Sequence, residues 1–259
     1  MHRLIKAILL LMCISTALPA ITADEILEGF SKLLAIPTIS GSTKLQLIAQ
    51  NGDVRVIEAR IYQKNIGINQ NNRLFVFDFP PAVRGTGLLL HSYFDGRNSN
   101  MWIYLPVVQR IKRVSLENAG GGYFMGSDFT YRDLISNDYN KMDYELAEEK
   151  TIDGINYYVM KAWGKSQEIR QDDGFAYILS YYRKDDLFMM RREYFDFNED
   201  LLKVYQVEDI LPLQTYLYPS KISMTNVQNG HKSVLAVTEV STEEIPDQYF
   251  TTRFLKKTR

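Results

Sequence analysis

Apolar and polar residues alternate along much of this chain with the two-residue period of β-strands. Leu45, Leu47 and Ala49 recur at this spacing, with the polar residues Lys44, Gln46 and Gln50 at three of the four positions around and between them. Several such runs are joined in pairs by dipeptides that favour two-residue hairpin turns, at Asn51-Gly52, Asp153-Gly154 and Asn229-Gly230. Many strands of similar length joined by tight turns predict a mainly β protein, built as one antiparallel meander that forms a barrel or a strongly curved sheet.

Helical periodicity is confined to the two ends of the chain after residue 23. Apolar residues recur at helical spacing within residues 25–34, so we predict a helix there with Asp24 as its N-cap. Pro37 ends that helix. A second short helix is predicted within residues 246–259, with Phe250 and either Phe254 or Leu255 facing the sheet.

The first 23 residues have the composition of a signal peptide. Arg3 and Lys6 precede a mostly apolar run over residues 7–18, and small residues come before the acidic pair that starts at Asp24. The alternative, an uncleaved membrane anchor, requires roughly 20 apolar residues, which is more than this run supplies. We therefore expect residues 1–23 to be removed on export and residues 24–259 to form a single periplasmic domain. Cys13, the only cysteine, lies inside the apolar run, so the exported chain is predicted to contain no thiol.

The stretch from Met101 to Leu134 contains the most distinctive pattern of the chain. A short aromatic strand over residues 102–105 is stopped by Pro106, which has no N–H to donate to a sheet. A basic run and a glycine triplet follow, and after them comes the compact block Phe124-Met125-Gly126-Ser127-Asp128-Phe129-Thr130-Tyr131. The stretch is rich in apolar and aromatic surface and lacks a nucleophile-base pair, so its composition favours binding of apolar groups over catalysis.

These two blocks, Trp102 to Pro106 and Phe124 to Leu134, resemble those of the LolA-like superfamily of outer-membrane lipoprotein-sorting proteins. The resemblance is to the branch found beside exporters of the RND or MMPL type. It implies a half-open antiparallel β-barrel closed by lid helices, which binds acyl chains of lipids or lipoproteins and carries them across the periplasm. It also implies an inner-membrane exporter as a second partner.

The resemblance supplies a hypothesis for the ligand-binding residues. The concave face of the sheet is expected to contact acyl chains through aromatic and methionine side chains: Trp102, Tyr104, Phe124, Met125, Phe129 and Tyr131. The first helix, which carries Phe30 and Leu34, is expected to act as the lid. Strand alternation places Trp102 and Tyr104 on one face and Ile103 and Leu105 on the other, and the sequence leaves open which pair points inward.

Two charged features of the same stretch have structural interpretations. Asp128 is predicted to form an Asx turn or to cap a helical turn over residues 131–135; the alternative is that it fixes the loop at the cavity mouth or meets a partner. The basic run of Arg110, Lys112 and Arg113 is predicted either to protect a sheet edge or to contact lipid phosphates or an exporter.

The net charge and the candidate reactive residues argue against several other classes of function. The formal net charge is −1, and removal of Arg3 and Lys6 makes it more negative, so nucleic acid is not expected as a partner. His91 and His231 lack metal-ligand spacing, and we expect no cofactor, no metal and no catalytic residue. We expect a monomer. Two alternatives stay open, an exporter accessory protein without cargo and a hydrolase whose carboxylates or serine meet only in the folded chain.

Overall fold

The computed structural model describes residues 21–115, 122–135 and 139–257. Thirteen β-strands account for most of them. Their bounds are β1 Thr38–Ile48, β2 Val54–Asn65, β3 Gln70–Phe79, β4 Gly87–Tyr93, β5 Asn100–Leu105, β6 Arg110–Arg113, β7 Met142–Ile152, β8 Ile155–Gly164, β9 Tyr177–Arg183, β10 Met189–Phe195, β11 Leu201–Leu213, β12 Tyr216–Asn226 and β13 Lys232–Ser241. Each of the three predicted hairpin turns has its glycine at positive φ, as such turns require.

All thirteen strands belong to one open antiparallel sheet. Its order is β6-β5-β4-β3-β2-β1-β13-β12-β11-β10-β9-β8-β7. Two meanders, β1–β6 and β7–β13, are therefore joined side by side through the single pair of β1 and β13, in which Leu45 lies opposite Leu235. The prediction of one curved antiparallel sheet with few helices is confirmed.

Strands from the two ends of the strand order meet in one apolar cluster, which shows that the sheet is curved. This cluster contains Met101 of β5 near one edge and Met142 at the start of β7, the other edge strand. Only a sheet bent toward this face brings such distant strands together, so we call this face concave. On the opposite, convex face each buried cluster draws only on strands that are close in the strand order, as for Tyr157, Val159 and Tyr181 of β8 and β9.

Three α-helices accompany the sheet in the part of the chain that the structure describes. Helix α1, Ala23–Leu33, begins two residues earlier than the sequence predicts, because Thr22 and Glu25 form a reciprocal capping box. Asp24 is therefore not the N-cap, and it instead accepts a hydrogen bond from the Tyr144 hydroxyl at 2.6 Å. Helix α2, Gln167–Asp173, was not predicted, and it ends at Gly174 in the left-handed conformation.

The last described residues lie on the convex face. A 3₁₀ turn, Asp247–Phe250, and the short helix α3, Thr252–Leu255, replace the single helix that the sequence predicts. Phe250 and Leu255 are buried against Leu74, Val76 and Leu89 of the sheet. The predicted contact of this terminal segment with the sheet is therefore confirmed.

Both edges of the sheet carry charge. Edge strand β6 contains Arg110, Lys112 and Arg113, all exposed, which agrees with their interpretation as edge protection. Edge strand β7 contains four acidic residues, Asp143, Glu145, Glu148 and Glu149. Within the described ranges, no helix is long and apolar enough to cross a membrane. The predicted signal peptide lies almost wholly outside the described residues and stays a prediction.

Candidate functional site

Residues 122–135 cover the concave face, and we call them the plug segment. The segment folds on itself: the Tyr131 amide donates to the Gly122 carbonyl and the Phe124 amide to the Phe129 carbonyl. Two 3₁₀ turns, Phe124–Gly126 and Arg132–Leu134, complete it. It adds no strand to the sheet, so side-chain contacts hold it in place.

Three apolar side chains anchor the plug segment in the main cluster. Phe124, Phe129 and Leu134 are each at most 6% exposed. The Phe124 ring lies 5.9 Å from that of Phe75 and 6.1 Å from that of Phe77, both on β3. The most distinctive block of the sequence thus fills the interior of the half-open barrel.

Hydrogen bonds from strand side chains hold the N-terminal half of the plug segment. The Asp128 amide donates to Ser233 Oγ at 2.9 Å, and the Ser233 hydroxyl donates to the Asp128 carboxylate at 2.7 Å. This reciprocal pair is buried and joins the segment to β13. The prediction that Asp128 caps the following turn is wrong, because Thr130 and Asp133 form that cap between themselves.

A buried ion pair holds the C-terminal half. Lys203 Nζ of β11 donates to Asp133 Oδ2 at 2.6 Å, and both side chains are about nine-tenths buried. The Tyr194 hydroxyl of β10 donates to Asp133 Oδ1 at 3.2 Å. Burial alone would raise the pKa of Asp133, but the Lys203 ammonium and hydrogen bonds from Thr130 outweigh it and lower that pKa below its usual value.

A second ion pair joins the plug segment to α2. Arg132 Nε lies 3.2 Å from Asp173 Oδ1, and the Asp173 side chain is only 10% exposed. The Arg132 guanidinium favours the charged carboxylate, yet burial outweighs this attraction and raises the pKa of Asp173 to about 6. This group therefore changes its charge between weakly acidic and neutral pH.

Two arginines of the concave face lie beside this cluster. Arg73 of β3 donates to the Leu134 carbonyl at 2.8 Å and to Gln63 Oε1 at 2.8 Å, both neutral oxygens. Arg192 of β10 lies two residues before Tyr194 and donates to Ser180 Oγ at 3.0 Å. Both arginines act electrostatically on the Tyr205 hydroxyl, as does the Asp133 carboxylate. The interior of the sheet thus combines apolar surface with buried positive charge.

The structure gathers four of the eight predicted ligand residues in one place. Phe124 and Phe129 lie within the main concave cluster, and Met125 and Tyr131 pack against it. Phe30 lies on the same side of the sheet, where its ring is 5.5 Å from that of Tyr182 and 5.8 Å from that of Phe188. Contact of these residues with a ligand stays a prediction.

Two of the predicted ligand residues, Trp102 and Tyr104, do not lie on the concave face. Their neighbour Ile103 packs against the concave cluster, so strand alternation turns Trp102 and Tyr104 to the convex face. There Tyr104 is buried in the cluster with Phe250 and Leu255, and the Trp102 ring lies 5.1 Å from that of His91. Both are core residues beneath the C-terminal segment and are not part of the concave site.

Helix α1 packs against the strands of the second meander. Its residues Ile26 and Leu27 are buried with Met160, Tyr182 and Met189. Leu34 is half-buried at the C-cap, outside the clusters that the structure describes. The helix therefore lies beside the plug segment and covers a neighbouring part of the sheet.

The sequence interpretation did not identify the buried polar residues. Lys203 stands in a strand that is otherwise mainly apolar, and Arg73 directly precedes the apolar run of β3, whereas the strand of Tyr194 carries three charged residues. A charged residue at an inward position of such a strand is costly to bury without a partner, and this signal could have identified Arg73 and Lys203. Their partner Asp133 could not be identified, because it lies in an irregular segment distant in sequence.

Catalytic and metal chemistry receive no support from the described part of the chain. The Ser127 hydroxyl donates to the Phe124 carbonyl at 2.7 Å, so it serves the local turn. His91 Nε2 is 2.9 Å from the Phe250 carbonyl, and burial lowers the pKa of His91. Within residues 21–115, 122–135 and 139–257, no three His, Cys, Asp or Glu side chains are grouped to hold a metal ion.

An open, strongly curved antiparallel sheet with a covered concave face defines a LolA-like fold. Three solved structures share it, each with 20–23% sequence identity to this chain. A domain from Vibrio parahaemolyticus named for outer membrane lipoprotein sorting matches at 23% identity with a TM-score of 0.82, covering 90% of this chain and 97% of that one. A DUF1329 family protein from Desulfovibrio piger matches at 22% identity with a TM-score of 0.81, covering 89% and 96%.

The third structure is a LolA superfamily protein from Nitrosomonas europaea. It matches at 20% identity with a TM-score of 0.70, covering 91% of this chain and 100% of that one. The chain itself belongs to a family described only as an uncharacterized protein family, whose model matches residues 69–257. No protein of curated function matches the sequence. The three matches confirm the LolA-like fold that the resemblance implies.

Proposed function

We propose that this protein is a periplasmic, non-enzymatic carrier that binds acyl chains of lipids or lipoproteins on its concave face and moves them toward the outer membrane. The observation that carries the proposal is the plug segment. Phe124, Phe129 and Leu134 occupy an apolar interior, yet their segment contributes no strand to the sheet. Its withdrawal would open an apolar groove without breaking the ladder of strand pairs.

Solubility gives the physical reason for such a groove. An acyl chain exposed to water costs about 0.8 kcal/mol for each CH₂ group, so it crosses an aqueous compartment only inside an apolar cavity. A carrier must also release its cargo. Side chains of the plug segment that refill the cavity would lower the cost of the empty state, because an unfilled apolar groove would otherwise face water.

Two further observations support the proposal. The N-terminal composition predicts export, which would place the domain in the periplasm. The Vibrio parahaemolyticus domain with the same fold is named for lipoprotein sorting. An inner-membrane exporter remains part of the proposal as the source of cargo, from the sequence resemblance alone.

The test uses an engineered disulfide that reversibly fixes the plug segment to the sheet. The exported chain is expected to lack cysteine, so Asp128→Cys with Ser233→Cys would introduce one disulfide in place of a buried hydrogen-bonded pair. A matched control is Thr225→Cys with Lys232→Cys, which lie opposite each other on β12 and β13 away from the plug segment. Uptake of a fluorescent fatty-acyl probe is measured before and after reduction.

The expected result is loss of uptake in the oxidised plug variant and recovery on reduction, with the control variant unaffected. Uptake that is equal in the locked and reduced forms would contradict a groove beneath the plug segment. Native mass spectrometry of protein purified without detergent, followed by organic extraction, would identify any cargo that is retained.

The packing of the plug segment also favours a second candidate, an exporter accessory protein without cargo. In this alternative the segment is permanent core, since its three apolar side chains are as buried as those of the sheet. A protein mass free of lipid, together with no probe uptake in the unlocked chain, would favour this second function.

A further inference from the structure

The carboxylate of Asp133 occupies a site built from strand side chains. Lys203 Nζ and the Tyr194 hydroxyl both point at it, at 2.6 and 3.2 Å. Both donors belong to the sheet, whereas their acceptor belongs to the plug segment. Movement of the segment would therefore leave a buried ammonium and a buried hydroxyl without their acceptor.

Such a state is unfavourable unless another oxyanion takes the same place. Loss of one partner of a buried ion pair is strongly destabilising, because the remaining charge stays out of water. The Lys203 side chain is 8% exposed, so solvent has little access to it in the closed form. Burial also raises the pKa of Tyr194 well above its usual range, which keeps its hydroxyl protonated as a donor.

The surroundings of this site favour an anion over a neutral group. Arg73 donates to the carbonyl of Leu134, the residue after Asp133, so it too would lose an acceptor when the segment moves. Arg192 lies on the same face of β10 as Tyr194, and Tyr194 is paired with Lys203 in the sheet. The strands thus supply positive charge at the polar end of an apolar groove.

We infer that the cargo of this protein is an amphiphile with an anionic head group, a carboxylate or a phosphate, which displaces Asp133 from Lys203 and Tyr194. The inference rests on the proposed function, because the acyl chains would occupy the places of Phe124, Phe129 and Leu134. In the empty protein, Asp133 is an internal substitute for the head group of the ligand.

The test compares ligands that share one acyl chain. Palmitate and palmitoyl lysophosphatidic acid carry an anionic head, and monopalmitoyl glycerol carries a neutral one. Affinities are measured by displacement of a fluorescent fatty-acyl probe from the full exported chain. Lys203→Met removes the cationic donor, Asp133→Asn weakens the internal competitor, and Lys232→Met is the control, an exposed lysine paired with Glu208 on the convex side.

We expect the protein to bind the anionic ligands about tenfold or more tightly than the neutral one. A ratio of this size is the effect that one charge-assisted hydrogen bond has on a binding constant. Lys203→Met should remove that preference, and Lys232→Met should leave it unchanged. Asp133→Asn should strengthen the binding of all three ligands alike, because each of them displaces the same closed form. A purely structural ion pair predicts that Lys203→Met leaves the preference unchanged. If Lys203→Met does not fold, Tyr194→Phe, which removes the other donor to the head group, decides alone: a smaller preference supports the inference and an unchanged one overturns it.

The remaining outcomes separate this inference from the proposed function. Equal binding of charged and neutral ligands would overturn the head-group site and leave the carrier function standing. Binding of none of them would overturn both. Displacement of the probe by inorganic phosphate alone, at a concentration similar to that of the phospholipid, would overturn the assignment to an amphiphile.

Discussion

The substitution Asp173→Asn should alter how stability depends on pH. The pKa of Asp173 is raised from 3.8 to about 6 by burial, against the attraction of Arg132. The folded protein therefore binds more protons than the unfolded chain between these two pH values. The contribution of this group to stability is complete below about pH 4 and is lost as the pH rises through about 6.

The magnitude follows from the size of the shift. A pKa raised by about two units corresponds to about 3 kcal/mol that the charged carboxylate costs the folded state at neutral pH. Asparagine cannot ionise, so Asp173→Asn avoids this cost. The variant should be more stable than the parent by up to about 3 kcal/mol at pH 8, with the difference shrinking toward pH 4.

Urea unfolding at several pH values between 4 and 8 measures this difference directly. Asp78→Asn is the control, because Asp78 forms an exposed ion pair with Arg60 and its removal should change the free energy of unfolding by less than about 1 kcal/mol. A difference between Asp173→Asn and the parent that stays constant across the pH range would refute the reasoning. So would a variant that is less stable at pH 8 than at pH 4, relative to the parent.

Three further substitutions test the packing of the concave face by the free energy of unfolding. Phe129→Ala should cost about 3–5 kcal/mol, because the ring is 2% exposed in the main cluster; a cost below about 1 kcal/mol would indicate that the plug segment is not seated in the core. Ser233→Ala should cost about 1–3 kcal/mol, because it leaves the buried Asp128 carboxylate without its hydrogen-bond donor. The control Thr238→Ala, at an exposed position, should be nearly neutral, and equal costs of the two variants would contradict a stabilising role of Ser233. Gly41→Ala should destabilise by about 1–3 kcal/mol, since a Cβ would lie 2.8 Å from the Thr238 carbonyl oxygen; Gly29→Ala, which meets only the flexible end of Leu187, should be tolerated better.

The fold was predictable from the sequence because its elements are local. Hairpin dipeptides such as Asn51-Gly52 and Asp153-Gly154 fix neighbouring strands, and a meander needs little more. The bounds of β11 and β12 were harder to predict from the sequence, because shifts of register between Val207 and Ile210 disturb the alternation of apolar and polar residues. Helix α2 is only seven residues long and carries no buried residue, so it produces no apolar periodicity.

The site was only partly predictable, for a different physical reason. The block around Phe124 and Phe129 was identified as part of the most distinctive stretch of the chain, and the structure places it inside the curved sheet. The direction of Trp102 depended on which face of β5 is concave, and alternation alone is symmetric between the two faces. The pair of Asp133 and Lys203 spans 70 residues of sequence, and it forms only when the whole sheet bends around the plug segment.

The order of strands has a consequence for the way the protein reaches its folded state. Each meander pairs strands that are adjacent in sequence, so either can begin to form from local contacts. The pairing of β1 with β13, in contrast, joins residues 38–48 to residues 232–241. Contacts of such large sequence separation are slow to form. Until the last strand has emerged, the inner edges of both meanders stay exposed, so the emerging chain is most vulnerable to aggregation just before its final hairpin arrives.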